Sequence, residues 1–330
     1  MKLAIDAHGG DNAPREIIKG CYLAKRELNA ELVLVGREDE IVKIMQEEGI
    51  DKNEFEIVNA DVVLTMEDDP TSVVKAKSDS SMAVTLKLVK DGVCDGAVSA
   101  GNSGALLVGA TLIVKRIKGV KRAALATVFP SETGPLMLTD IGANVECKPE
   151  YLVQFGMMGA EYMKKMFNIE NPKVALLNNG TEEHKGTPLH QEAYQMLKAC
   201  ENVNFIGNIE GRDIAFGGTD VAVTDGFTGN IALKTYEGIG KMMAANIKGI
   251  FKENIITKIG ALFVLKQINA FKKKFDYKEY GGAPLLGISK PVIKAHGSSD
   301  AKAFKNAIRQ AIDFEKSGMI GVITDRLATK

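Results

Sequence analysis

An α/β fold with a mostly parallel sheet and helices on both faces is predicted for this chain by two observations. Short β-rich runs alternate with helical patterns from one end of the 330 residues to the other, the rhythm of parallel strands joined by crossover helices. Several of those runs also end in Gly with Asn, Asp, Ser or Thr, and open α/β sheets bind ligands beyond the carboxyl ends of their strands.

Residues 3–7 form the first apolar strand, and Pro14 opens a helix that runs to residue 27. A strand over 32–35, a helix over 38–48 and a strand over 55–58 follow, then helical stretches to residue 90 and a short strand over 96–98. Later strands are expected at 124–129, 136–139, 174–177, 205–206 and 221–223. Helices fill the gaps, notably at 149–167, 189–200 and 301–316. No repeat, low-complexity tract or composition break divides the chain, so residues 1–330 are expected to form a single intertwined α/β domain.

The most informative stretch is Val98-Ser-Ala-Gly-Asn-Ser-Gly-Ala105. A strand that turns through glycine into a helix leaves backbone N–H groups unpaired and converging, and the helix dipole adds partial positive charge there. Gly101 and Gly104 allow close backbone approach, while Ser99, Asn102 and Ser103 add polarity without bulk. The stretch reads equally as a capped strand-to-helix turn, since it matches neither common nucleotide-loop pattern.

Lys+Arg and Asp+Glu are both 42, which gives no basis for nucleic-acid binding. No apolar run approaches a membrane span, and the N-terminus lacks the apolar core of a signal peptide. Cys21, Cys94, Cys147 and Cys200 are scattered without zinc-like pairing, as expected of free thiols in a reducing cytoplasm.

Six strand ends carry the polar signature: Asp6 to Pro14, Ser99 to Gly104, Asp140 to Asn144, Asn178 to Gly186, Gly207 to Glu210 and Thr224 to Asn230. Turn chemistry alone explains any one of them. Six at corresponding positions favour a shared polar cleft lined by Asp6, Gly9, Gly10, Asp11, Asp140, Asn178, Thr181, Asp225 and Gly226. The aspartates either position loops and cations or serve as turn and cap residues.

Taken together and in order, these strings resemble the phosphate acyltransferase family over essentially the whole chain. The resemblance rests on Asp6-Ala-His-Gly-Gly-Asp11, the 99–105 stretch, Asp140-Ile-Gly-Ala-Asn144, Gly180-Thr-Glu-Glu-His-Lys-Gly186, Thr224-Asp-Gly-Phe-Thr-Gly-Asn230, Tyr280-Gly-Gly-Ala-Pro-Leu-Leu-Gly287 and Lys294-Ala-His-Gly-Ser-Ser299. His8 stands where the family usually has Met, Ser103 where it has Thr, and Asn179 replaces an apolar residue. The resemblance implies a three-layer α/β/α, Rossmann-like fold of the isocitrate and isopropylmalate dehydrogenase kind. It also implies a homodimer, a helical tip that touches the membrane, and transfer of an acyl group from acyl carrier protein to inorganic phosphate. Neither a cofactor nor a metal is expected.

On that reading phosphate is assigned to Ser99, Gly101, Asn102, Ser103, Gly104 and Asn144. Lys185 is the charged catalytic group, Asn230 a neutral donor, and His296 either a proton donor to the departing thiol or a phosphate ligand. The rivals are a phosphotransacetylase or phosphotransbutyrylase acting on coenzyme A thioesters, a nicotinamide-dependent decarboxylating dehydrogenase, and a non-catalytic scaffold of lipid synthesis.

Two surfaces complete the reading. Residues 251–278 join an apolar stripe of Val264, Ile268, Phe271 and Phe275 to seven lysines, opposed only by Glu253 and Asp276. That composition suits the anionic inner face of the cell membrane or, alternatively, a packed helix. Residues 115–122 hold five cations and no acid, which suits docking of an acidic carrier protein or a solvated face.

Overall fold

The computed structural model describes residues 1–274 and 281–328. The first half alternates β1 (Lys2–Asp6), α1 (Arg15–Leu28), β2 (Glu31–Gly36), α2 (Glu38–Glu47), β3 (Glu56–Asn59), α3 (Ser81–Lys90), β4 (Gly96–Ser99) and α4 (Ser103–Gly109). The middle holds β5 (Ala124–Pro130), β6 (Pro135–Thr139), α5 (Pro149–Phe167), β7 (Lys173–Asn178), α6 (Pro188–Lys198), β8 (Asn204–Glu210), α7 (Asp213–Phe216) and β9 (Val221–Val223). Two long helices follow, α8 (Gly226–Lys252) and α9 (Ile255–Lys274). The chain then returns through β10 (Ala283–Leu286), β11 (Val292–Lys294), α10 (Ala301–Lys316) and α11 (Met319–Ala328).

Eleven strands form one sheet in the order β3-β2-β1-β4-β11-β10-β5-β6-β9-β7-β8. Alternation along β1 shows why helices cover both faces. Leu3 and Ile5 belong to the core on the face covered by α1, α2, α5, α6, α10 and α11, whereas Ala4 belongs to the core on the face covered by α3 and α4. On that second face of the other half, Phe129, Leu138 and Ala222 meet Ile214 of α7 and Leu233 and Tyr236 of α8. The expected three-layer α/β/α architecture is therefore observed. Strands covered on both sides read as continuous apolar runs, and β1, β2 and β4 are buried along nearly their whole length.

The sheet departs from expectation at its centre. Seven strand pairs are parallel, but β11–β10, β10–β5 and β5–β6 are antiparallel. Three reversals make β6, β7, β8 and β9 run opposite to β1, β2, β3, β4 and β11. The strands β10 and β11 are absent from the sequence reading because each is only three or four residues long and is flanked or interrupted by Pro284 and Pro291. Between β3 and α3 the expected helix reduces to a single 3-10 turn at Pro70–Val74. The Asp68 carboxylate accepts from Thr65 N and that of Asp69 from Thr71 N, local bonds that compete with helix formation.

Candidate active site

The reversal splits the six polar strand ends. The ends of β1 and β4 lie on one edge, joined there by the end of β11, and those of β6, β7 and β9 lie on the other, while Gly207 to Glu210 lies inside β8. Ser99 on β4 and Asp140 after β6 are four strand spacings apart, about 19 Å at ~4.8 Å each. A single cleft formed by all six ends is thus replaced by two sets.

The first set is built on a buried carboxylate. Asp6, at the end of β1, accepts from Ser81 Oγ at 2.7 Å and Ser99 Oγ at 2.6 Å. Burial raises its pKa, and the two hydroxyls act against that rise. Ser99 Oγ in turn accepts from Gly101 N at 3.0 Å. Gly9 covers this cluster so closely that a Cβ there would lie 2.5 Å from Asp6 Oδ2 and 2.7 Å from Gly101 N. Asn102 is also fully engaged. Its Oδ1 accepts from Ala105 N at 3.0 Å, capping α4, and its Nδ2 donates to the carbonyls of Thr65, Met66 and Asp68 at 3.2 to 3.3 Å.

The side chains of Ser99 and Asn102, assigned to phosphate from sequence, therefore build the turn. What the turn offers outward is the Ser103 side chain, which is exposed, and the N–H groups of the first helical turn at Ser103 and Gly104. The loop after β1 is tied to the loop after β11: Asp11 N donates to Gly297 O at 2.8 Å, and Asn12 Nδ2 to Ser299 O at 3.2 Å. Gly10 lies in the same contact, against Ala100 and Gly297.

His296 stands on the β11 loop. Its Nδ1 accepts from Ser298 N at 3.2 Å and lies 2.9 Å from Ser298 Oγ. A backbone amide can only donate, so Nδ1 is the acceptor and the neutral ring carries its proton on Nε2. Partial desolvation lowers the His296 pKa, with Glu237 of α8 opposing.

Sequence reading assigned no role to Lys294, the last residue of β11. The residue is 8% exposed, and its ammonium donates to Ala100 O at 3.1 Å and Ala295 O at 2.5 Å. The legible signal was a lysine inside the otherwise apolar run 291–295. His8 is also buried, with Nε2 3.1 Å from Glu40 Oε2 and no hydrogen bond to Nδ1.

The second set is centred on Asp140. Its Oδ1 accepts from the backbone N–H groups of Leu125, Gly142 and Ala143, and its Oδ2 from Asn144 N and Nδ2. Burial raises its pKa against these donors. Asn144 Nδ2 also donates to Ala123 O at 2.8 Å, so this side chain closes its own loop far from the 99–104 turn. Asp225 caps α8, accepting from Thr228 N at 2.9 Å and Thr228 Oγ1 at 2.8 Å. Asp140 thus organises its own turn, and Asp225 is the N-cap of α8.

Gly226 and Gly229 let α8 start hard against this loop; a Cβ at Gly229 would fall 1.9 Å from Asp140 O. Asn230 is exposed over Gly142. At the end of β7, Asn178 Nδ2 donates to Lys185 O at 3.1 Å, and the half-buried Lys185 stem lies on Gly180. Thr181 is exposed. His190, on α6, has its pKa lowered by desolvation, and Asp225 opposes this.

Helix α8 joins the sets. It leaves the Asp140 loop, passes β5 with Tyr236 stacked on Phe129 and its hydroxyl donating to Pro130 O, and brings the charges of Lys234, Glu237 and Lys241 to bear on His296. Asn230 and Lys234 are one helical turn apart, about 6 Å along the axis. The candidate site is therefore a path along α8, with the His296 loop at one end and the Asn230 and Lys185 loops at the other.

The five cations of 115–122 are exposed beside the second set, since Asn144 bonds Ala123. Lys121 meets Glu150 at 3.4 Å, and Arg122 lies over the Tyr151 ring. Among the described side chains of α9 the most exposed apolar ones are Ile255, Ile256, Ile259 and Phe263, while Val264 is less exposed and Ile268 half-buried. Phe271 lies on α9, and Phe275 lies outside the described residues. Among the described residues no helix is long and apolar enough to cross a membrane.

A family model described as "Fatty acid synthesis protein" matches residues 1–321. The chain is 46% identical over 331 residues to a phosphate acyltransferase of Clostridium perfringens strain SM101, covering 100% of this chain and 98% of that one. It is 48% identical over 311 residues to a phosphate acyltransferase of Thermoanaerobacterium thermosaccharolyticum, covering 94% and 92%. A phosphotransacetylase from Streptococcus pyogenes shares the fold, with a TM-score of 0.67 over 96% of this chain and 94% of that chain at 20% identity.

Proposed function

This chain belongs to the phosphate acyltransferase family of fatty acid synthesis proteins, and from that premise we propose that it moves an acyl group from the thioester of acyl carrier protein to inorganic phosphate. An oxygen of hydrogen phosphate attacks the thioester carbonyl, the C–S bond breaks, the phosphate proton passes to the departing sulfur, and the products are acyl phosphate and the carrier's free thiol. The acyl phosphate feeds phospholipid synthesis.

One observation carries the reading. At the end of β4 the polar side chains are spent on holding the turn, so the first-turn N–H groups of α4 and the Ser103 hydroxyl remain for an anion. A phosphate seated there brings its own negative charge as nucleophile, and a thiolate with a pKa of about 8.5 leaves readily. The protein's task is orientation, exclusion of water and stabilisation of the carbonyl oxyanion. His296, neutral with its N–H on Nε2, is suited to donate a hydrogen bond to phosphate or to the developing thiolate. Lys185 and Asn230 serve the thioester end of the path, as cation and neutral donor. No acyl-enzyme is required: burial pushes Cys94 up to about 11 and Cys147 up to about 12, far from a nucleophilic thiolate.

The surrounding surfaces are consistent with this chemistry. The exposed cations of 115–122 suit an acidic carrier protein approaching the second set. The exposed apolar residues of α9, with their neighbouring lysines, suit peripheral contact with an anionic membrane from the cytoplasm. Phe227, Ile231, Met242 and Met243 leave an apolar face of α8 uncovered in the single chain, which favours a homodimer.

The deciding assay follows acyl phosphate as its hydroxamate, with acyl carrier protein and coenzyme A thioesters offered separately. Phosphate-dependent product from the carrier thioester is expected. Product from coenzyme A thioesters alone reassigns the chain to a phosphotransacylase, and no phosphate-dependent cleavage of either removes the acyltransfer reading.

A further inference from the structure

Lys294 is a buried cation that the mechanism above does not use. It pairs in register with Ser99 of β4, and the two carbonyls it holds belong to Ala100 and Ala295, the first residues beyond the ends of β4 and β11. Both loops that flank the oxyanion-ready turn therefore start from one ammonium group.

Burying a cation without a salt-bridge partner is costly, and a methionine would fill the same strand position more cheaply. Among the described residues Lys294 forms no ion pair at contact distance. The charges acting on it are Asp6 from β1, Asp11 from the following loop and Lys234 from α8, and it acts in turn on His296. A cation kept at that cost beneath an anion-ready turn has an evident use once an anion arrives.

We propose that Lys294 is the positioning residue of the anion site: it fixes the turn at residues 100–104 against the His296 loop, and its charge offsets that of a bound doubly charged oxyanion. The inference rests on the phosphate reading above and adds the group that sets phosphate affinity. Burial lowers the Lys294 pKa to about 8, so the ammonium form still dominates at neutral pH, and an incoming anion favours it further.

The test uses the full-length chain and the variants Lys294→Met and Lys294→Arg. Inorganic phosphate is the probe, both as substrate and as a stabiliser in thermal melts, against chloride at equal ionic strength. Lys294→Met is expected to raise the KM for phosphate about tenfold or more, the scale of one lost charged interaction. Its kcat at saturating phosphate and its KM for the acyl donor are expected to stay within about threefold. Phosphate-induced stabilisation is expected to vanish in Lys294→Met and to return in part with Lys294→Arg. A folded Lys294→Met with unchanged phosphate KM and unchanged phosphate stabilisation overturns the proposal while leaving acyl transfer intact.

Should Lys294→Met fail to fold, calorimetry of phosphate binding to the unmodified protein near pH 8.5 in two buffers of different ionisation enthalpy supplies the answer. Net proton uptake supports the proposal, and none overturns it. An unmodified protein that neither binds nor consumes phosphate removes the acyltransfer reading and this inference together.

Discussion

Asn102→Ala separates a turn that binds anions by its backbone from one that binds them by its side chains. The Asn102 Oδ1 cap on Ala105 N is lost, at about 1 kcal/mol. The Nδ2 contacts at 3.2 to 3.3 Å are long and share two protons among three carbonyls, so their loss adds about 1–2 kcal/mol. The sum is about 2–3 kcal/mol. Unfolding entropy of ~2.1 cal/mol/K per residue over 330 residues is roughly 0.7 kcal/mol/K, so the melting temperature is expected to fall by about 3–4 °C. Asn102→Ser keeps a capping oxygen and should lose about half as much. Asn102→Asp also keeps the cap but turns an acceptor toward three carbonyls, and should lose at least as much as Asn102→Ala. Because the turn loses its anchor to residues 65–68, the phosphate KM is expected to rise with the loss of stability across the series. Calorimetric melts with and without phosphate, together with steady-state kinetics, measure both. An Asn102→Ala protein that melts within about 1 °C of the parent with an unchanged phosphate KM refutes the reasoning.

Lys185→Ala is expected to lower kcat/KM for the acyl donor by about 10²-fold, the scale of one lost electrostatic stabiliser; a folded variant with full activity takes Lys185 out of the mechanism. His296 has its pKa below the ordinary 6.5 through desolvation, so the unfolded chain takes up this proton first. The stability contributed by the neutral ring is complete above pH 6.5 and declines as pH falls through the folded value. Activity should follow with an acid limb below pH 6.5, absent from whatever activity His296→Gln retains. Phe263→Glu and Val264→Glu are each expected to weaken flotation with anionic vesicles, Phe263→Glu more because that side chain is 80% exposed against 37% for Val264. Equal flotation of both variants and the parent removes the membrane role from α9. Charge neutralisation at Lys115, Lys118 and Arg122 should flatten the salt dependence of kcat/KM for an acidic carrier donor, and an unaltered salt slope argues that the carrier docks elsewhere.

Local signals made most of the elements legible. The apolar runs at β1, β2 and β4 and the apolar face of α10, which buries Phe304, Ile308 and Ala311, announce themselves by period and composition. Strand direction does not. A run such as 136–139 looks the same whether its neighbour is parallel or antiparallel, so the reversals at β10 and β5 were invisible, and with them the division of the polar strand ends into two sets. Five of the six nominated strand ends follow strands, while 207–210 lies inside β8, and the functional meaning of each side chain depends on partners remote in sequence. Ser99 reads as a ligand until Asp6, 93 residues away, takes its hydroxyl. Asn144 reads as a donor until Asp140 and the Ala123 carbonyl claim its amide.

Lys294 is the converse case. In sequence its single signal is the apolar run 291–295 around it, and its register partner Ser99 and near-complete burial give that signal its meaning. The same rule accounts for all three. A polar side chain at a strand end is available to a ligand only after the loop's own donors and acceptors have been satisfied, because an unsatisfied buried group costs about 1–3 kcal/mol. Composition can nominate such residues, but this accounting, made across strands, decides which of them face the substrate and which hold the others in place.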